Sequence, residues 1–193
     1  MVIGHRGTIN GGGYNISCVI GPGVNSGDAT VGGGYCNCAL ANNSLISGGA
    51  NNKAYCDSST IGGGQSNQAT NSFSSVLGGS DSFATGAFSG VSGGSYGTTR
   101  AITGSQVFPA CQTPIASAQG VSQAALLILG VQTTDATATI LRSNTSAAST
   151  TNQVILPNNS AYFFTGEVVA GVTGGGNTKG WTIEGVIKRG ANA

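Results

Sequence analysis

Charge is what this 193-residue chain has least of: Asp, Glu, Lys and Arg make up 7% of it, against about 25% in an ordinary soluble protein. Seven basic and six acidic side chains leave a formal net charge of +1. So thin a supply excludes a protein that grips nucleic acid by counterion release, which needs clustered Lys and Arg. It also excludes a highly charged disordered tail. With four prolines, and glycine that keeps no third-residue period, the chain is not collagen. The longest apolar run, Ala124 to Leu129, falls far short of the ~18 residues of a membrane-crossing helix, so no membrane insertion is expected. Met1 to Thr8 carries His5 and Arg6 with no apolar stretch behind them, and no secretory signal is expected there.

Imidazole is equally scarce. His5 is the one histidine, and the five cysteines (Cys18, Cys36, Cys38, Cys56 and Cys111) contain no Cys-x-x-Cys pair. That inventory supplies no zinc set and argues for free thiols in a reducing cytoplasm.

Glycine, by contrast, is abundant: 34 of 193 residues, more than twice its usual share of ~7%. Its placement is periodic. Val31, Ile46, Ile61, Val76 and Val91 stand fifteen apart, and each is followed by a glycine pair: Gly33-Gly34, Gly48-Gly49, Gly63-Gly64, Gly78-Gly79 and Gly93-Gly94. Ser44, Ser59, Ser74 and Ser89 keep the same period, as do Ala39, Ala54, Ala69 and Ala84, and Asn37, Asn52 and Asn67. A unit of fifteen is too short for two helices and a turn, and glycine disfavours a helix interior by ~1 kcal/mol relative to Ala. It suits one coil of a parallel β-solenoid, in which equivalent residues stack about 4.8 Å apart. The Val/Ile column then forms an apolar ladder, Ala and Ser fill narrow places, and Asn takes a left-handed corner or bonds along the stack.

Paired glycines weaken a strand, so their recurrence points either to positive φ at a corner or to another backbone approaching too closely for a Cβ. With one large apolar residue per fifteen, a coil is expected to need sister chains to complete its core, and the glycine strip to line a common axis; homotrimerisation follows. Between Thr8 and Thr30 the pattern slips: Ile9, Gly11-Gly12-Gly13, Ile20-Gly21-Pro22-Gly23 and Val24-Asn25 are read as coils with deletions or a changed path, Ile20 standing eleven before Val31.

After Arg100 the period stops, and Pro109 and Pro114 bracket a connector. Beyond it the texture is that of alternating strands, with candidates at 124–131, 134–142, 153–156, 162–172 and 180–189. Residues 144–151 and Pro157-Asn158-Asn159-Ser160 read as turns, and Gly174-Gly175-Gly176-Asn177 as a hairpin tip. The expected fold is therefore all-β: a trimeric parallel β-solenoid shaft (β-roll or β-helix) over 1–105, a connector over 106–120, and a small antiparallel β-sandwich tip over 121–193.

The unit that runs from Ile61-Gly-Gly-Gly-Gln-Ser-Asn-Gln-Ala69 to Ser74 resembles the left-handed parallel β-roll repeats of trimeric autotransporter adhesin heads, and more closely the Gly-rich repeats of viral tail fibres. Residues 151–169 followed by 180–190 look like a C-terminal domain recurrent in bacteriophage tail fibres and spikes. The resemblance implies a homotrimeric fibre end on a virion, assembled in the host cytoplasm and joined to the remainder of the fibre. Its work would be host attachment through a cell-surface glycan or protein.

Chemistry is expected to be absent, and with it any cofactor. Glycoside cleavage needs two carboxylates about 5 to 10 Å apart, and the acids are only Asp28, Asp57, Asp81, Asp135, Glu167 and Glu184. Asp57 and Asp81 occupy different slots of the repeat, while Glu167 and Glu184 lie in the two strong C-terminal strands, where cross-strand Lys or Arg neighbours are the commoner partners. A single terminal histidine leaves no Ser-His-Asp or Cys-His set, and no Gly-Lys-Ser/Thr follows any Gly-rich stretch. Receptor contact is assigned to loop tips on a rigid scaffold: Asn158, Asn159, Asn177 and Lys179, with Trp181 as an aromatic platform. Two other functions fit the residues less directly, a bacterial trimeric adhesin fragment and a polysaccharide-degrading tailspike domain; an ice-binding solenoid lacks its stacked Thr-x-Thr face.

Overall fold

The structure, a computed structural model, describes residues 2–3, 7–18, 28–111, 114–135, 137–172, 174 and 176–191. His5, Arg6 and 20–25 lie outside them, as do Gly175 and Thr173. All described elements are strands: β1 (Val2–Ile3), β2 (Thr8–Ile9), β3 (Ile16–Cys18), β4 (Thr30–Val31), β5 (Cys38–Ala39), β6 (Leu45–Ile46), β7 (Lys53–Ala54), β8 (Thr60–Ile61), β9 (Gln68–Ala69), β10 (Ser75–Val76), β11 (Phe83–Ala84), β12 (Gly90–Val91), β13 (Gln106–Pro109), β14 (Gln123–Leu126), β15 (Ser160–Gly171) and β16 (Thr178–Arg189). They form two compact units, 1–153 and 154–193.

The first unit is the expected solenoid. One parallel sheet stacks β2, β4, β6, β8, β10, β12 and β13, and a second stacks β1, β3, β5, β7, β9 and β11. A third ladder of single bridges joins Gly13, Tyr35, Ala50, Gln65, Ser80 and Ser95. Three such sides close each fifteen-residue coil. The Val/Ile column faces inward on the first sheet and the Ala column on the second; both are fully buried, with Asn37, Asn52, Asn67 and Ser44, Ser59, Ser74, Ser89 beside them.

That burial corrects one expectation. The coil shelters its own apolar column, because its interior is only wide enough for one Val or Ile, one Ala and a few small polar side chains, and the backbone of the coil closes around them. Sister chains are not needed to complete it.

The asparagines explain how so small a core holds. In three successive coils an Asn side chain spans three backbone groups: Asn52 Nδ2 donates to Gly48 O at 3.0 Å and to Gly64 O at 2.9 Å, and its Oδ1 accepts the Asn67 N–H at 3.0 Å. Asn37 and Asn67 repeat the pattern. The hydrogen bonds of these buried amides offset their desolvation and fix the register of successive coils.

The glycine pair has two distinct reasons. The second member, as at Gly49 (φ 87°) and Gly64 (φ 88°), is left-handed, and a Cβ there would lie about 2 Å from the carbonyl oxygen of the next coil's glycine. The first member differs between coils: around Gly48 and Gly78 a Cβ has open space, whereas Gly33, Gly63 and Gly93 have φ of 149°, 148° and 119°. The strip is thus demanded by coil-to-coil approach within one chain.

At the edges the repeat changes length. Ile9, not Ile20, pairs with Val31, and Asn15 with Asn37, an interval of twenty-two instead of fifteen. The irregularity is an insertion of seven residues, not a deletion. At the other end Val107 stacks on Val91 and is buried, one residue late, after the consecutive left-handed residues Arg100 and Ala101. The stretch expected as a connector from 106 therefore supplies a further rung, and β14 closes it by pairing antiparallel. Among the described residues of 127–153 there is a single bridge, Gly130 to Arg142, where a strand over 134–142 was expected. Those Thr and Ala residues are exposed and short of apolar partners; the segment is ordered instead around buried Asn152, whose Nδ2 donates to Asn144 Oδ1, Ser146 O and Ala147 O.

The second unit is an antiparallel two-stranded sheet, β15 with β16, in continuous register from Ser160 opposite Arg189 to Gly171 opposite Thr178. The antiparallel expectation holds. Within this unit, among the described residues, there is no second sheet to make the sandwich.

Candidate functional site

Recognition was expected at five residues of the C-terminal part, and the register of β15 and β16 separates them. Asn158 and Asn159 precede β15 at the open end of the ribbon. Asn159 is left-handed (φ 55°), a conformation Asn tolerates, and its N–H donates to Gly190 O at 3.3 Å. Ser160 Oγ donates to Pro157 O at 2.5 Å and Arg189 to Leu156 O at 2.7 Å, pinning that turn to the strand ends. Both asparagine side chains are exposed.

Asn177 lies at the far end, where the turn closes with the Val172 N–H on Asn177 O at 3.4 Å and a left-handed Gly174. Lys179 stands opposite Ala170 and Trp181 opposite Val168, both just inside the tip. Eleven steps of an antiparallel strand, roughly 37 Å, divide the two groups. The five candidate residues fall at two places: a pair of exposed asparagines at one end, and an asparagine, a lysine and the indole toward the other.

Near the tip a shallow, open depression of about 190 Å³ is lined by Glu167, Val168, Val169, Gly180, Trp181 and Thr182. It forms because Gly180 carries no side chain opposite Val169, so the ladder has a gap there. Small-molecule sites usually enclose about 300 to 1,000 Å³. This one offers a contact for a single sugar-sized group and no seclusion from water.

Residues directly opposite in an antiparallel pair share a face; Glu184 stands opposite Thr165, and Glu167 opposite Thr182, so the two glutamates are diagonal neighbours on one open face. Neither has Lys or Arg directly across the ladder, contrary to the partners expected. Asp57 Oδ1 accepts the Asn42 N–H at 3.2 Å, and the Asp81 carbonyl accepts from Gln119 Nε2. Asp135 accepts the Thr137 N–H at 2.8 Å, which holds its carboxyl below the usual range. All are roles in turns. Cys36, Cys56 and Cys111 are free thiols, and among the described residues no three His, Cys, Asp or Glu side chains cluster as a metal site would need. No described helix is long and apolar enough to cross a membrane.

Two features escaped the sequence reading. Phe73 and Phe88 occupy one corner slot of the repeat, the slot held by Asn43 and Ser58 in earlier coils, and all four are left-handed. The two rings stack at 4.8 Å with planes 5° apart while more than half exposed. Their spacing of fifteen was visible; what was missing was the knowledge that this slot turns a corner and throws its side chain outward. The second is Glu167 opposite Thr182, on the face that does not carry Trp181, which only the strand register brings together.

Comparison with models of known protein families, with curated proteins and with solved structures finds no match for this chain.

Proposed function

We propose that this chain is a structural and receptor-binding part of a viral tail fibre, working as a homotrimer and without catalysis. The observation that carries the reading is the rung ladder: five coils in strict fifteen-residue register, three of them tied to the next by two hydrogen bonds from one buried asparagine. Such a ladder makes a stiff scaffold from few side-chain types, as a load-bearing shaft requires. The resemblance of the repeat and of residues 151–190 to tail-fibre sequences supports the same reading.

Attachment would come from the exposed ends of the ribbon, Asn158 and Asn159 at one and Asn177 and Lys179 at the other, through hydrogen bonds to a host-surface glycan or protein. A contact as small as the tip depression is weak by itself. Three copies on one fibre raise the effective concentration of the second and third contacts, and avidity can exceed single-site affinity by roughly 10²–10⁴. The chain would act on the virion after assembly in the host cytoplasm.

A glycan array probed with the intact protein tests the attachment. Binding that weakens when Asn177 and Lys179 are replaced by Ala supports it; no binding to any surface glycan or envelope protein counts against it. Because Glu167 and Glu184 share a face, incubation with capsule or lipopolysaccharide belongs in the same experiment. New reducing ends abolished by Glu167→Gln would establish a polysaccharide-degrading tailspike domain instead.

A further inference from the structure

We infer that residues 119–126 withhold the end of the solenoid from a second copy of this chain, whose β2 edge would otherwise stack on it head to tail; the inference is independent of the trimeric reading above. Each coil turns backbone groups toward the coil that follows it, and at the last coil one segment takes them up on all three sides. On the first sheet β14 pairs antiparallel with β13, from Gln106 opposite Leu126 to Pro109 opposite Gln123. On the single-bridge side the Ala110 N–H donates to Ser122 O at 2.9 Å, and the Gly120 N–H to Tyr96 O at 2.7 Å.

On the second sheet a side chain stands in for a strand. Phe83, one coil earlier, gives its N–H to Gly97 O and accepts the Thr99 N–H. Thr98 bridges Phe83 and turns the same two groups to the open side. There its N–H donates to Gln123 Oε1 at 2.9 Å, and its carbonyl accepts from Gln123 Nε2 at 2.9 Å. An amide side chain carries acceptor and donor together, so one residue supplies what two residues of a strand would. Arg100 Nη2 holds the segment down through Gly120 O at 2.8 Å. Gly120 is buried with φ 72°, and a Cβ there would lie 2.8 Å from both Arg100 Nη2 and Thr98 Cγ2.

Stacked rungs are self-complementary, so an uncovered end is a template for another copy. Among the described strands β2 lies at the other end of the first sheet and pairs only with β4. The Thr8 and Asn10 N–H groups point to that partner, on Ala29 O and Val31 O, so the Ile9 N–H and carbonyl between them face the open side. A bare last coil and the β2 edge would join parallel strand to parallel strand, a contact that does not close on itself and grows into a filament. The covering segment prevents this by direction: β14 leaves an antiparallel edge of four residues where a coil needs parallel neighbours on both sheets.

Light scattering on the full chain over a range of concentrations tests this, with Gln123→Leu and Gly120→Ala as two independent ways to lift the segment. The wild-type mass should level off at one value as concentration rises. In either variant the Thr98 N–H should lose its protection from hydrogen exchange while the Asn67 N–H, on Asn52 Oδ1, keeps its own. The mass of both variants should then climb with concentration past any fixed multiple of the 18.9 kDa chain. Adding Ile9→Pro, which removes an N–H that β4 does not use, should stop the growth. A variant whose Thr98 exchanges freely at an unchanged mass overturns the inference, as does growth that Ile9→Pro leaves untouched or a wild type that itself grows without limit. Protection at Thr98 that survives both substitutions overturns it too. So does loss of protection at Asn67 in both, which would make the segment part of the coils' own stability and not a cover.

Discussion

The side-chain oxygen of Asn52 accepts the backbone N–H of Asn67 at 3.0 Å, one full coil away, while the same side chain donates to Gly48 O and Gly64 O. A single residue thus ties its own corner to the next coil. Replacing it by Ala strands a buried N–H and removes a donor from two carbonyls. At about 1–3 kcal/mol per unsatisfied buried group, Asn52→Ala should destabilise the solenoid by about 3 kcal/mol. Asn52→Asp should do no better, because a carboxylate would face two carbonyl oxygens. Guanidinium unfolding checks this, and a loss under 1 kcal/mol would show that water replaces the ladder.

Adjacent glycines should respond with opposite sign. Gly49→Ala meets both positive φ and a carbonyl oxygen at 2.1 Å, and should cost about 3 kcal/mol or more. Gly48→Ala has open space, and restricting the unfolded chain there should leave stability unchanged or raise it by about 0.5 kcal/mol. Paired melting curves decide; equal losses at both sites would refute the division of roles.

At the corner shared by Phe73 and Phe88, stacking opposes backbone preference. A bulky left-handed residue is strained by roughly 1 kcal/mol, and an aromatic pair returns about 0.5–1.5 kcal/mol. Asn fills this slot at Asn43 with φ 55°, so Phe73→Asn and Phe88→Asn keep the corner. Each change alone should be nearly neutral, and the double-mutant cycle should show coupling of about 1 kcal/mol. No coupling would make the stack incidental.

Burial, and then the neighbouring Asp57 carboxylate, raise the Cys56 thiol above its ordinary value of 9.0; the thiol also donates to Thr70 O at 3.1 Å. A group whose pKa rises on folding adds stability that is complete below its unfolded pKa and disappears as pH climbs through the folded one. The loss from Cys56 therefore belongs to the alkaline side, above about pH 9. At pH 8.5 iodoacetamide should label exposed Cys111 before Cys56, and Asp57→Asn should hasten labelling of Cys56. Peptide mass spectrometry reads both; equal rates at the two thiols would contradict the shift.

By itself the sequence determined the solenoid. Period fifteen places Val31, Ile46, Ile61, Val76 and Val91 in one column, and a column of identical residues satisfies every coil by the same contacts, so local pattern and global register coincide. What only tertiary structure decided lies where that coincidence ends. Ile9 rather than Ile20 pairs with Val31, and Val107 extends the ladder across an added residue, because a strand is chosen by what it can stack on and not by its distance along the chain. The glycine pair looked like a seam between chains; it is a seam between coils, which only the position of the next coil's carbonyl oxygen, where a Cβ would have to stand, could show. At the C-terminus alternation revealed two strong strands and nothing of their partners. Which residues share the Trp181 face was fixed when Val168 came to stand opposite it, since a shift of one residue would have turned every side chain of the strand to the other side.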